Sequence, residues 1–227
     1  MTELTVGRRV QNMRDKRERI FRAAYELFTE RGFDGVTTQE ISERADVATG
    51  TLFRYVASKS ELLLMVLNEE FRSALEHGEA VARKTEGISA QVQELIAPIM
   101  ALAIKREPDS TVYQRELIFG SDEQPHRAES IALMARVESC IGDLLERAAQ
   151  TRKISISDKA VRAASAAIFG ALTLAIARLS ARTHNPEGSV EDLNLQVEQI
   201  VTGTLELATQ TSPVKSCILD PARETRS

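Results

Sequence analysis

Apolar residues recur along this chain at helical spacing, and nowhere do they alternate over several residues as a strand requires. Ile20, Ala23, Ala24, Leu27 and Phe28 fall at i, i+3, i+4, i+7 and i+8, which predicts a first helix from about Met13 to Arg31 with one apolar stripe. Gly32 is placed to stop it, with Phe33 folding back beyond. Residues 1–11, with Gly7, Arg8 and Arg9, read as a loose arm. The stretch from Val36 to Tyr55 then predicts two very short helices joined by a tight turn. Thr37 and Glu40 stand in capping-box order, Ile41 and Ala45 share a face, and Leu52 belongs to the second helix. Helices this short need a platform, because nucleation is costly, and the first stripe supplies one. Thr49, Gly50, Thr51, Arg54 and Tyr55 are left facing outward. A helix-turn-helix offers this kind of small, hydrogen-bonding surface to a DNA major groove.

Ser58 and Glu61 form a second capping-box pattern ahead of a long helix through Leu62, Leu63, Val66, Leu67, Phe71 and Leu75. Lys59 in its first turn suits an anion, and a DNA phosphate is the expected one. Gly87 breaks the pattern, and Ser89 is placed to cap a fifth helix in which Pro98 predicts a kink or break. A sixth helix is expected from Pro108 to Gly120, a seventh from Arg127 to Thr151, and an eighth from Ser157-Asp158 to Arg182. A turn at His184–Gly188 precedes a ninth, capped by Ser189 and reaching Thr211. Beyond Ser212 the periodicity ends, which reads as a disordered tail. The expected class is all-α with about nine helices and no internal repeat.

The eighth helix is rich in alanine, so much of its surface is small and its backbone can be approached closely. Either it pairs with the ninth and their symmetry mates as a four-helix interface, or the two simply finish one protomer's core. The interface residues expected are Ala164, Ala167, Ala171, Leu172, Ala175 and Leu179, with Val197, Val201 and Leu205. A two-fold dimer is favoured, since one short recognition helix binds weakly and two can read paired half-sites.

Charge sharpens this division. Residues 1–60 hold eleven Lys and Arg against nine Asp and Glu, while the remainder holds eighteen against twenty-four. A mildly basic head on an acidic body fits DNA contact at one end only. Cys140 and Cys217 show no metal or redox spacing, charges interrupt each apolar run, and no secretory leader is apparent, so a cytoplasmic protein without a membrane partner is expected. His77, His126 and His184 lie far apart without acidic or cysteine partners at ligand spacing, and no nucleophile or phosphate-loop motif occurs. No catalytic residue, metal or cofactor is expected.

Ala23-Ala24-x-x-Leu27-Phe28-x-x-x-Gly32-Phe33, Thr37-Thr38-x-x-Ile41 and Gly50-Thr51-Leu52-Phe53-x-Tyr55-x-x-Ser58-Lys59-x-x-Leu62 together resemble the TetR family of transcriptional regulators. The resemblance runs from Ile20 to Leu63. It implies a helix-turn-helix DNA-binding domain over residues 1–60 and a helical-bundle domain for effector binding and dimerisation over 61–211, leaving 212–227 as tail. It also implies phosphate contacts from Thr38, Tyr55 and Lys59, with Thr49, Gly50, Thr51 and Arg54 nearest the base edges. Family members often carry Lys or Arg where Thr49 stands and Tyr where Phe53 stands, so Phe53 is expected to pack inward.

The fifth to seventh helices exceed what a DNA-binding head and a dimer interface require. Met100, Met134, Tyr113, Phe119 and Cys140 are side chains suited to an adaptable cavity, with Tyr113, Arg115, Glu116 and Arg136 as polar handles. The expected function is a dimeric repressor of a double-stranded DNA operator, released by a mostly apolar small-molecule effector. Two alternatives stay open: an interaction module whose helix-turn-helix docks a protein, and a helical-bundle enzyme.

Overall fold

The computed structural model describes residues 3–181 and 185–209; His184, Cys217 and the expected tail lie outside the described residues. Among these the chain is all-α: α1 (Glu3–Arg31), α2 (Thr38–Arg44), α3 (Thr49–Leu52), α4 (Lys59–Ala82), α5 (Ile88–Lys105), α6 (Glu107–Phe119), α7 (Pro125–Arg152), α8 (Asp158–Ser180) and α9 (Pro186–Thr209).

Several ends differ from the expected ones. The helical backbone of α1 reaches back to Glu3, through residues expected to be a loose arm. No proline interrupts that segment, and once nucleated by the stripe a helix can propagate through it despite Gly7. Gly87, at φ +84°, rather than Ser89 precedes α5. Asn185 rather than Ser189 starts α9: its Oδ1 accepts from the Gly188 amide at 2.7 Å, while the Ser189 hydroxyl donates back to the Asn185 carbonyl inside the helix. Pro98 lies within α5 without ending it. The carbonyl it fails to engage belongs to Glu94, an exposed residue that water can serve.

Two apolar cores result. The first combines the α1 stripe with Val36, Ile41, Ala45, Leu52 and Val56 and with Leu62–Leu67 of α4, and takes in Tyr113 from α6. The second packs the C-terminal half of α4 against α5, α7, α8 and α9. One helix therefore contributes to both cores, and the boundary expected near residue 60 falls in its first turn. Where α4 meets α5, a Cβ on Gly78 would lie 2.2 Å from the Leu95 carbonyl oxygen, so only glycine permits this backbone contact. By length and composition alone α5 and α8 match membrane spans, yet both pack into the second core.

That core corrects most of the expected dimer face. Ala164, Leu172, Ala175, Leu179, Val197, Val201 and Leu205 are buried in their own protomer's core, which accounts for their apolar pattern without a second chain. Their periodicity marked the inner stripe of α8 and α9, and an inner stripe and an interface stripe are both apolar. Of the residues expected there, Ala171 is half-buried and Ala167 is exposed. Ala167 shares the outward face of α8 with Ala163, Ala166, Gly170 and Leu174, beside Leu207 of α9; Leu207 and Leu195 of α9 are 67% and 54% exposed.

Candidate functional site

The helix-turn-helix is assembled by polar bonds at each of its connections. Thr37 caps α2: its Oγ1 accepts from the Glu40 amide at 3.2 Å, and the Thr37 amide donates to Glu40 Oε2 at 2.8 Å. The other Glu40 oxygen accepts from Arg31 Nη1 at 2.8 Å, which ties α2 to the end of α1. This guanidinium, helped by the Thr37 donors, holds the Glu40 carboxyl down at about 2. Asp46 takes the left-handed conformation (φ 52°) in the turn. There the Asp46 and Val47 amides donate to the carbonyls of Glu43 and Ser42, a Schellman closure with Asp where Gly is usual. Ile41, Ala45 and Leu52 press this unit onto the first core.

The expected contact residues line the outer surface of α3 and its flanks. Thr49, Gly50 and Arg54 are exposed, and Thr38, Thr51 and Tyr55 are half-buried beside them. A Cβ on Gly50 would meet nothing within 4 Å, so packing within the chain does not require glycine there. Its bare backbone leaves room for close approach from outside. Phe53 contradicts the inward packing expected of it: it ends α3 with 47% of its surface exposed. In a four-residue helix Leu52 takes the inward position, and the next residue turns away from the core. An apolar ring on this face can meet a thymine methyl.

Lys59, expected at a phosphate, is largely engaged within the head. Its Nζ donates to the carbonyls of Phe33 and Val36 at 2.8 and 2.9 Å and lies 4.0 Å from the Phe33 ring centroid. One ammonium hydrogen remains for an external anion. At the same helix start Ser58 Oγ accepts from the Glu61 amide, whereas the Glu61 carboxylate reaches the Ala57 amide instead of completing the box on Ser58.

The body holds a cavity of about 80 Å³ between α4, α5, α6, α7 and α8. Of the residues expected at an effector pocket, Tyr113 and Met134 line it, together with Leu67, Phe71, Phe169 and Leu172. The remaining expected pocket residues do not. Met100 is buried in the second core, Glu116 faces Arg115, and Phe119 ends α6 with 81% exposure. Arg136 pairs with Glu79 at 2.8 Å, and the Cys140 thiol, pushed up to about 11 by burial and the same Glu79, bonds that carboxylate. Arg136 and Cys140 therefore face the α4 side of α7, which the period of α7 could not distinguish from the cavity side.

Most of the wall was missed by the sequence reading, Arg106 and Gln114 included. Arg106, at the α5–α6 junction and 5% exposed, lines the cavity yet bonds toward the head. Its Nε donates to Glu70 Oε2 at 2.9 Å, and its Nη2 to Thr29 Oγ1 of α1 at 2.7 Å. Asp109, 3.7 Å from Nη1, accepts the Phe33 amide at 2.8 Å. Burial pushes the Asp109 carboxyl upward, against the Phe33 bond and the Arg106 charge. A line of direct contacts thus runs from the cavity wall through Asp109 and Phe33 to Lys59 at the start of α4. Among the described residues no three His, Cys, Asp or Glu side chains gather where a metal could bind.

Residues 20–66 match the sequence model of the family described as bacterial regulatory proteins, tetR family. The HTH-type transcriptional repressor KstR of Mycolicibacterium smegmatis is 39% identical over 71 residues, 31% of this chain and 34% of that one. The match thus spans about a third of that relative's length. Two solved structures share the fold. FadR from Bacillus subtilis, in complex with stearoyl-CoA, has a TM-score of 0.61 at 21% identity, covering 82% of this chain and 98% of its own. RolR in complex with resorcinol has a TM-score of 0.60 at 21% identity, covering 89% and 97%. The helix-turn-helix segment thus matches the tetR family of bacterial regulatory proteins, and the chain as a whole shares its fold with these neighbours.

Proposed function

We propose that this protein is a sequence-specific transcriptional regulator of the cytoplasm, a homodimeric repressor that leaves its operator when a small molecule occupies the cavity. The observation that carries the reading is the outer face of α3. Gly50 stands open with no packing demand on it, flanked by Thr49, Thr51 and an Arg54 that makes no ion pair among the described residues. Hydroxyls and backbone amides suit phosphates, while arginine and threonine methyls suit base edges. Thr38, Tyr55 and the remaining donor of Lys59 would hold the backbone on either side.

Dimerisation rests on the outward face of α8 and α9, where Ala163, Ala166, Ala167 and Gly170 allow close approach between Leu174, Leu195 and Leu207. Regulation rests on the cavity and on the contacts that lead from Arg106 to the head. A ligand that prefers one position of α6 would bias the start of α4, and a coupling of about 1–3 kcal/mol suffices to loosen DNA. The two neighbours were each solved with a small organic ligand, which supports an effector role for this body.

A gel shift with the full chain and the DNA upstream of its own gene tests the reading. Binding should be sequence-selective and weaken steeply with salt. Equal affinity for unrelated duplexes would refute it. Capture of a protein through Phe53 in place of DNA would favour the docking alternative.

A further inference from the structure

We propose that the cavity takes a compact, uncharged molecule of a single ring with one hydrogen-bonding group, which the Gln114 amide meets; this rests on the effector role proposed above. About 80 Å³ is several times what one water needs and too little for a long acyl chain. Leu67, Phe71, Ile99, Phe169, Leu172 and Ile176 make the wall apolar. Such a wall favours a rigid ring, which loses little freedom on binding.

The polar groups of the wall decide the rest. The Ser110 hydroxyl donates to the carbonyls of Ala103 and Arg106, Tyr113 donates to Asn68 Oδ1 at 3.0 Å, and Thr173 donates to the Phe169 carbonyl. Their hydrogens are committed. Gln114, half-buried on the same wall, makes no hydrogen bond among the described residues, so its amide can still both donate and accept. Arg106 is the wall's cation, but it lies between two carboxylates: Glu70 at 2.9 Å and Asp109 at 3.7 Å. No positive charge is left for an anionic ligand. A cation fares no better, since Glu70 and Asp109 lie outside the wall and are held by Arg106 and the Phe33 amide. A ligand charge of either sign would lose its hydration without gaining a partner.

Four probes on one ring separate these demands: p-cresol, p-xylene, p-toluate and p-methylbenzylammonium, titrated calorimetrically into the full chain at neutral pH. The p-cresol should bind about tenfold more tightly than p-xylene, as one hydrogen bond provides, and more tightly still than either ion. Gln114→Leu should close the gap between p-cresol and p-xylene while leaving the thermal midpoint near that of the parent. Ala103→Phe, which fills the cavity, should abolish p-cresol binding. An ion binding as well as p-cresol, no p-cresol binding, or a gap that survives Gln114→Leu would each overturn the proposal. Fluorescence anisotropy of the operator complex in the same samples separates the two readings. If p-cresol binds selectively but leaves the DNA bound, the effector role fails and the ligand class stands. If p-toluate alone binds and releases the DNA, the ligand class fails and the effector role stands.

Discussion

In the head, the connections between helices are tied by directional bonds: Glu40 to Arg31 and Thr37, Lys59 to two carbonyls, Asp109 to the Phe33 amide. In the body, contacts between α5, α7, α8 and α9 are almost wholly apolar, and they leave a cavity beside Phe71 and Phe169. Directional bonds specify one geometry, whereas apolar contacts are non-directional and can be remade in a neighbouring arrangement. A recognition surface needs the first property and a ligand site the second. Arg106 stands where they meet, with its guanidinium on the cavity wall and its hydrogen bonds on α1 and α4. In the function proposed above, this polar bridge would let a body that can repack act on the head.

The largest effects should come from forcing charge into the body. Ala164→Glu buries a carboxylate in the protomer's own core and should cost several kcal/mol, seen as loss of cooperative unfolding in urea. Ala167→Glu, three residues further along α8 on the exposed face, should leave the protomer folded and abolish the dimer in sedimentation. Equal behaviour of the two variants would erase the distinction between the inner and outer faces of α8.

Arg106→Ala tests the bridge. It leaves the buried Asp109 without its cation and the half-buried Glu70 with only Lys105 at 3.8 Å, and should destabilise the chain by about 3 kcal/mol. Any ligand-driven release of DNA should fall with it. A loss below about 1 kcal/mol in urea would show that the ionic group is incidental to the fold.

Lys59→Ala tests how the head is closed. Removing two donors from the Phe33 and Val36 carbonyls should cost about 1–2 kcal/mol. If the remaining hydrogen also meets a phosphate, the salt slope of DNA binding should drop by about one unit for each subunit. Stability lost with the slope unchanged would make Lys59 a strap and nothing more.

The smallest effect is a pH dependence confined to α2. The Glu40 carboxyl is held below its ordinary 4.5, at about 2, so its contribution is present above pH 4.5 and is lost as pH falls through 2. Amide exchange in α2 should quicken over that window, and Glu40→Gln should remove the dependence. Acid sensitivity unchanged in Glu40→Gln would assign it to another carboxylate.

The head was legible because its determinants are local. The Thr37–Glu40 box, the Gly32 stop and the Ile20–Phe28 stripe all act within a few residues of themselves, and α2 begins where they place it. The internal bonds of Lys59 were missed and Phe53 was misread because each depends on something distant: Phe33 lies 26 residues before Lys59, and the side on which Phe53 ends follows from where the α1 platform lies. In the body, period alone could say that α7 and α8 carry apolar faces, but an interface, a core and a cavity wall are all apolar. Met100 and Cys140 illustrate the limit, since each sits at helical spacing and neither reaches the cavity.

The sequence by itself determined the all-α class, the order of the helices and the short recognition unit, because capping and helical periodicity are encoded in neighbouring residues. Tertiary structure alone decided which apolar face looks inward, where the body leaves a space, and that Arg106 joins that space to Thr29 some 77 positions earlier. These depend on how rigid helices meet across long separations, and side-chain packing settles that only when all of them are in place.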